Sequence, residues 1–283
     1  MTLCFRRVPL RDVQAMPQAF NTSNNYETRP DDYAAVCRGT HTRVWVDALH
    51  AGQYKRVTLP FQSWMFEASK IGKVNKTFSR LFDDEMEAYL EEHAAAFEAA
   101  VDFPPEGLFF RNETVSPKYG VHGAGPYHSL RQVVESMTTG THGHVCLDEA
   151  HEVGPATTLY FLPWLPDLSL DDEYRIFVRS RRVTAISQQN IYRATRKTQA
   201  EIEADVRRIV DAFADLEQRL PSSCGDCVID AAVLPSGRVY FIELNSFGVE
   251  YSSGSAAFNW KTDRDVLYGE TETPEIHVAT VHE

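Results

Sequence analysis

Apolar positions recur along this chain at two spacings, about 3.6 and about 2 residues, with turn formers between them. From Asp84 to Ala100 the pattern predicts a helix. Acidic residues crowd its first turns, where the helix dipole favours them, Met86, Leu90 and Phe97 approximate one apolar face, and Pro104 and Pro105 end it. FQSWMFEASKI, around Trp64, predicts an amphipathic helix, and RVWVDAL, around Trp45, a short strand or edge segment. Residues 1–40 are expected to be irregular, with turn formers dense from Asn21 to Asp32.

GLFFRN predicts a strand over Leu108 to Arg111. A loop follows from Ser116 to His128, then a short helix over 129–137 with Ser129 as N-cap. HVCL, TLYFLPWL, EYRIFVRS and RVTAISQ predict strands, the last two joined by a tight turn at Ser180-Arg181. Thr198 and Glu201 form a capping-box pattern ahead of a helix that aligns Ile202, Val206, Ile209, Val210, Phe213, Leu216 and Leu220 on one face. CVIDAAVL and RVYFIELN then predict a hairpin about Pro235-Ser236-Gly237. The tail beyond Tyr268 is acidic and polar and is expected to be loosely held. This order gives an α+β class built on antiparallel pairs, not a run of βαβ crossovers. GxGxxG is absent, which disfavours a dinucleotide fold as well.

Composition narrows the function classes. The 283 residues suffice for a large core, and the net charge of −12 disfavours broad nucleic-acid binding. No apolar run reaches about 18 residues, and the N-terminal arginines precede no apolar stretch. Five irregularly spaced cysteines fit reduced thiols and a cytoplasmic location. Cys224-Gly-Asp-Cys227 has the CxxC form without the strand-to-helix context of a redox site or a second ligand pair for zinc.

The final hairpin carries the candidate chemistry. Glu243 and Asn245 share a face by alternation, and Asp230 joins them if the register permits. Among apolar neighbours, two carboxylates and an amide oxygen suit a hard cation such as Mg²⁺. Turn capping, or salt bridges to Arg238 or Arg175, satisfies the same spacing equally well. Arg111 ends a strand, and Lys118 lies in a loop with Gly120, Gly123 and Gly125, whose spacing is not that of a P-loop. Arg175, mid-strand between apolar residues, needs a partner, either a phosphate or the carboxylates. His142-Gly-His144 would share a face in a strand but lacks a carboxylate at fixed spacing. Arg179, Arg181 and Arg182 are most simply a solvated hairpin tip, and Trp45, Trp64, Trp164 and Trp260 core or interface residues. Neither GxSxG nor HExxH occurs.

DDEYRIFVRSRRVTAISQ, then CVIDAAVLPSGRVYFIELNSFG and later AAFNW, resemble in order and spacing the cell division cycle protein 123 family, an ATP-grasp family. GLFFRNETVSPKYG resembles that family's cation-bearing strand and Ser-x-Pro-Lys/Arg type loop, and FQSWM its Phe-Ser-x-Trp. The resemblance implies one ATP-grasp-type domain over 1–283: an N-terminal part to about 105, a first lobe to about 165 and a C-terminal lobe to about 268, the two α/β lobes clasping a nucleotide. It implies that Asp230, Glu243 and Asn245 hold Mg²⁺ and phosphates. Arg111, Lys118 and Arg175 would meet ATP phosphates, and Tyr160, Phe161, Leu162 and Trp164 would belong to the hinge beside adenine. Arg111 stands for the family's usual lysine, Glu243 for a frequent aspartate, and Pro163 where a basic residue is common. The implied role is assembly chaperone of translation initiation factor 2, binding its gamma subunit. The alternative is an ATP-grasp ligase or phosphotransferase acting through an acyl phosphate.

Overall fold

The computed structural model describes residues 2–22, 30–154, 156–251, 253–273 and 275–283. Most of the turn-rich stretch expected between Asn21 and Asp32 lies outside them. In chain order the elements are β1 (Thr2–Pro9), α1 (Leu10–Ala15), α2 (Tyr33–Arg38), α3 (Thr42–His50), β2 (Lys55–Pro60), α4 (Ser63–Asn75), α5 (Asp83–Val101), β3 (Leu108–Arg111), α6 (Leu130–Thr139), α7 (Thr141–Val153), β4 (Ala156–Pro163), β5 (Glu173–Arg179), β6 (Arg182–Gln188), α8 (Gln199–Glu217), β7 (Cys227–Val233), β8 (Val239–Ser246), α9 (Arg264–Tyr268) and β9 (Glu275–His282). They form two compact units, one of Met1–Leu49 with Pro166–Glu283, the other of His50–Leu165.

The first unit is built on a six-stranded sheet in the order β1-β9-β6-β5-β7-β8. The antiparallel sheet expected from the sequence is its β6-β5-β7-β8 part. Two parallel pairings, β6 with β9 and β9 with β1, extend it. Helix α8 begins with the expected capping box, Thr198 Oγ1 accepting from the Glu201 N–H at 3.3 Å and Glu201 Oε2 from the Thr198 N–H at 2.7 Å. It buries Ile202, Val206, Ile209, Phe213 and Leu216, while Leu220 is buried beyond its end. The tyrosine hydroxyl of Tyr174 on β5 donates to Asp205 of α8 at 2.9 Å. A cluster of Phe177, Val228, Phe247, Phe258 and Trp260 forms a core of this unit.

In the second unit, the antiparallel sheet β2-β4-β3 packs one face against helices. Leu59, Leu108, Phe110, Leu159 and Phe161 from that face join Met65, Met86, Phe97, Val133 and Leu147. Ser129 caps α6, accepting from the Gln132 N–H at 3.3 Å.

Four expectations are corrected. RVWVDAL lies in α3, with Trp45 and Val46 buried and Arg43 and Asp47, one turn apart, exposed. HVCL lies in α7, where Cys146, Leu147 and Ala150 are buried at helical spacing. Short apolar windows do not distinguish the two periods. Residues 1–40 are not irregular throughout, since they supply β1, α1 and α2. The tail is not loosely held: Glu275–His282 is β9, an inner strand with Val278, Ala279 and Val281 buried.

Candidate functional site

The β7–β8 hairpin turns at Pro235-Ser236-Gly237, Gly237 taking φ 80°. Nearest the turn, Val233 pairs with Val239, Ala232 with Tyr240 and Ala231 with Phe241. Continued without interruption, that register would set Asp230 opposite Ile242, and Glu243 and Asn245 would point to the other face. A bulge intervenes between Asp230 and Ala231 and brings Asp230 opposite Glu243. Directly opposed residues share a face, so Asp230, Glu243 and Asn245 lie together.

The register continues the row across the sheet. Arg175 of β5 stands opposite Asp230, and Ser187 of β6 opposite Arg175. Arg175 and Asp230 are 8% and 4% exposed, and they form a bidentate pair, Nε donating to Oδ1 at 2.8 Å and Nη2 to Oδ2 at 2.7 Å. Nη1 of Arg175 donates to the Gly254 carbonyl at 2.7 Å. Burial opposes the guanidinium charge, but Asp230, Glu243 and Glu173 more than offset this and raise its pKa above the ordinary value. Of the two partners left open for Arg175, the carboxylate is the one it meets. Arg238 instead lies over the Tyr240 ring at 5.9 Å.

One step along the same face, Phe177, Val228 and Asn245 are aligned. Phe177 packs edge-on against Phe258 and Trp260, at 5.8 and 5.4 Å between centroids. The Nδ2 of Asn245 is buried without a hydrogen-bond partner among the described residues. A buried amide donor left unpaired is costly and calls for an acceptor.

The segment around Gly254 is a part of the site that reading the sequence did not identify. The Ala257 N–H donates to Ser187 Oγ at 3.0 Å, and Trp260 Nε1 donates to the Ser253 carbonyl at 2.9 Å. These bonds hold the stretch beside the carboxylate row, so the late AAFNW motif anchors the carbonyl that Arg175 uses.

The other candidates lie in the second unit. Arg111 is buried and stands opposite Tyr160, with exposed Arg56 on the far side of Tyr160. The Tyr160 hydroxyl donates to Glu113 at 2.7 Å. Leu162 shares this sheet face by alternation, and Trp164 is half-buried beside Gly125. The Phe161 ring points the other way, into the core. Lys118 is exposed near the Tyr119 ring in a loop held by the Tyr127 hydroxyl, which bonds the Gly123 carbonyl at 2.7 Å.

His142 and His144 do not act as a pair. In helix α7 positions two apart diverge, and their Nδ1 atoms meet Ser116 and Ser69 separately. Among the described residues no group of three or more His, Cys, Asp or Glu is placed to hold a metal, and the hairpin set contributes two carboxylates and an amide. Cys224 and Cys227 are buried free thiols, both with pKa raised by burial, the reverse of a reactive CxxC.

A family model described as D123 matches residues 132–281, more than half of the chain. The chain belongs to the D123 family, that of the cell division cycle 123 proteins. The structure of Cdc123 from Schizosaccharomyces pombe is similar at TM-score 0.58 and 16% identity, over 87% of this chain and 97% of that one. A C-terminally truncated Cdc123 from the same organism is similar at TM-score 0.58 and 16% identity, over 86% and 96%. At that identity the likeness speaks for the fold alone, and the mixed sheets and helices agree with the α+β class expected from the sequence. A RimK domain ATP-grasp protein from Sphaerobacter thermophilus is also similar, at TM-score 0.38 and 12% identity, over 83% of this chain and 67% of that one. No curated protein matches. Among the described residues no helix is long and apolar enough to cross a membrane.

Proposed function

We propose that this D123-family chain binds Mg²⁺-ATP and serves assembly of translation initiation factor 2 by binding its gamma subunit, the role that the family resemblance implies. The nucleotide reading is carried by the shared face of Asp230, Glu243 and Asn245, where the amide donor of Asn245 is buried unpaired. Two carboxylates and an amide oxygen form the hard donor set that Mg²⁺ takes together with phosphate and water. A carboxylate offers about four lone-pair sites, so a bidentate pair with Arg175 and a cation on the same group are compatible. Asp230, Glu243 and the Asn245 oxygen would hold the ion, which when bound neutralises phosphate charge. The Asn245 N–H groups would donate to a phosphate oxygen. Arg175 fixes the Asp230 carboxylate and has further N–H groups for the terminal phosphate. For the other unit the proposal keeps the implied roles: Arg111 and Lys118 on phosphate oxygens, and Tyr160, Phe161, Leu162 and Trp164 beside adenine, Phe161 through its backbone.

Titration calorimetry of ATP into the protein, with and without Mg²⁺, tests the reading. Metal-dependent binding is expected, weakened about tenfold or more by Asp230→Asn and by Asn245→Ala with the fold kept by circular dichroism. Wild-type affinity in both variants would remove the assignment. Pull-down with a recombinant gamma subunit tests the partner, and ATP consumption by the protein alone would favour the ligase instead.

A further inference from the structure

In a chain of net charge −12, residues 70–82 hold Lys70, Lys73, Lys76 and Arg80 and no Asp or Glu. The same stretch bares apolar side chains. Leu81 and Val74, 78% and 75% exposed, are the most exposed large apolar residues among the described residues, and Ile71 joins them at 37%. Single exposed apolar residues are ordinary, but a group of them rimmed by one sign of charge marks an interaction surface.

The fold gathers this stretch on one side of the second unit. In α4, Lys70, Ile71 and Val74 lie three and four residues apart and are neighbours on the outer face, while Met65, Ala68, Ser69 and Gly72 take the inner one. Lys76 ends the helix at φ 53°, its N–H donating to the Gly72 carbonyl at 2.7 Å. The chain then returns along α4. Phe78 packs edge-on and Phe82 stacks on Trp64, near the start of that helix, at 6.5 and 6.3 Å between centroids. With these two rings turned inward, Arg80 and Leu81 between them are left exposed. Ile71 is seven residues beyond Trp64, on the same face of α4, so the returning chain runs beside it. The surface is therefore set before any partner arrives.

Its cations are available. Lys70 reaches Glu67 at 2.7 Å and Arg80 reaches Asp83 at 3.4 Å, both exposed pairs of the kind that contributes little. Lys73 and Lys76 have no carboxylate at ion-pair distance among the described residues. The field of Lys73 reaches His144 of α7, where it adds to burial in lowering the imidazole's pKa. The helix dipole accounts for cations at the end of α4 but not for the bare Val74 and Leu81 beside them. Asp83, Asp84 and Glu85 follow at once in the first turn of α5. A flat anionic bilayer would press against those carboxylates, whereas a narrow acidic chain need not. The rings of this stretch are half-buried against one another, not presented for base stacking, which disfavours RNA.

We propose that residues 70–82 dock an acidic segment of a partner protein, its carboxylates meeting Lys73, Lys76 and Arg80 and its apolar side chains covering Val74 and Leu81. This rests on neither the nucleotide reading nor the gamma-subunit reading, because none of these residues belongs to the set assigned to Mg²⁺-ATP and the probe is not that subunit.

Fluorescence anisotropy with a labelled Glu-Asp-Leu-Glu-Asp-Leu-Phe-Glu peptide, at physiological salt, tests it. Binding is expected, weakened about three- to tenfold by Lys73→Gln with Lys76→Gln, and by a similar factor in Leu81→Ser. A peptide with serine for its leucines and phenylalanine should bind more weakly. Glu67→Gln, which frees Lys70, is expected to strengthen binding, a gain that loss of folding cannot imitate. Arg207→Gln with Arg219→Gln, exposed charge changes in the other unit, should leave binding unchanged. Equal weakening by the two double variants, or full binding of the serine peptide, would mean diffuse attraction and would overturn the proposal. So would no binding of the peptide, or tighter Lys73- and Lys76-dependent binding of phosphatidylserine–phosphatidylcholine vesicles or of an oligouridylate.

Discussion

Arg175→Met strands Asp230. The guanidinium makes two bonds to that carboxylate and a third to the Gly254 carbonyl, and both side chains of the pair are less than one-tenth exposed. Methionine fills the stem's volume but supplies no donor, so both carboxylate oxygens lose their arginine bonds. Glu243, directly opposite, then faces Asp230 without Arg175 to offset their like charges. Removing one partner of a buried pair costs about 3–5 kcal/mol, and the like charge puts this site toward the upper end. For a chain of this size that corresponds to a fall in Tm of roughly 5–8 °C. Thermal and urea unfolding of wild type, Arg175→Met, Asp230→Met and the double variant measure it as a cycle. The double variant should lie within about 1 kcal/mol of wild type, because exchanging a buried pair for apolar groups is often neutral. A single variant that costs less than about 1 kcal/mol, or a double as unstable as the two singles summed, would refute the reasoning.

Two further outcomes follow from other parts of the fold. Lys197 bridges Asp172 at 2.6 Å and Asp205 at 2.7 Å, and although burial opposes its charge, hydrogen bonds to both carboxylates raise its pKa above 10.5. A raised folded-state pKa stabilises below the unfolded value and is lost as pH rises through the folded one. Lys197→Met should therefore cost about 1–3 kcal/mol at neutral pH, with a Tm gap to wild type that closes only in strong alkali. Gly72 of α4 packs so near α6 that a Cβ would collide with the Thr138 carbonyl, an atom that cannot retreat without moving the helix. Gly72→Ala should lower stability by about 2 kcal/mol in urea unfolding, where glycine to alanine inside a helix ordinarily raises it.

The nine residues of α3 and the eight of β9 show how far the sequence reaches. Helices α5 and α8 and the hairpins β5–β6 and β7–β8 were legible, because each carries its own period, caps and turn over a long enough window. RVWVDAL was not, since seven residues with a tryptophan and three valines or leucines satisfy either period until a neighbour selects one face. EIHVATVH breaks alternation at Val278-Ala279, being buried on both faces there, and its parallel partners, β1 and β6, are far away in the chain.

By itself the sequence determined which side chains are available for the chemistry: Asp230, Glu243 and Asn245 on one hairpin and an arginine mid-strand nearby. It also settled the faces of α8 and the two-residue turn at Ser180-Arg181, all local properties. Whether Asp230 joins Glu243 and Asn245 was decided by the tertiary structure alone. A single bulge reverses the alternation that the turn imposes. Since side chains along a strand alternate with period two, one extra residue moves a side chain to the other face, and no local signal announces it. The partner of Arg175 was likewise left open until β5 paired with β7 and the chain beyond Ser253 brought a carbonyl to its third nitrogen.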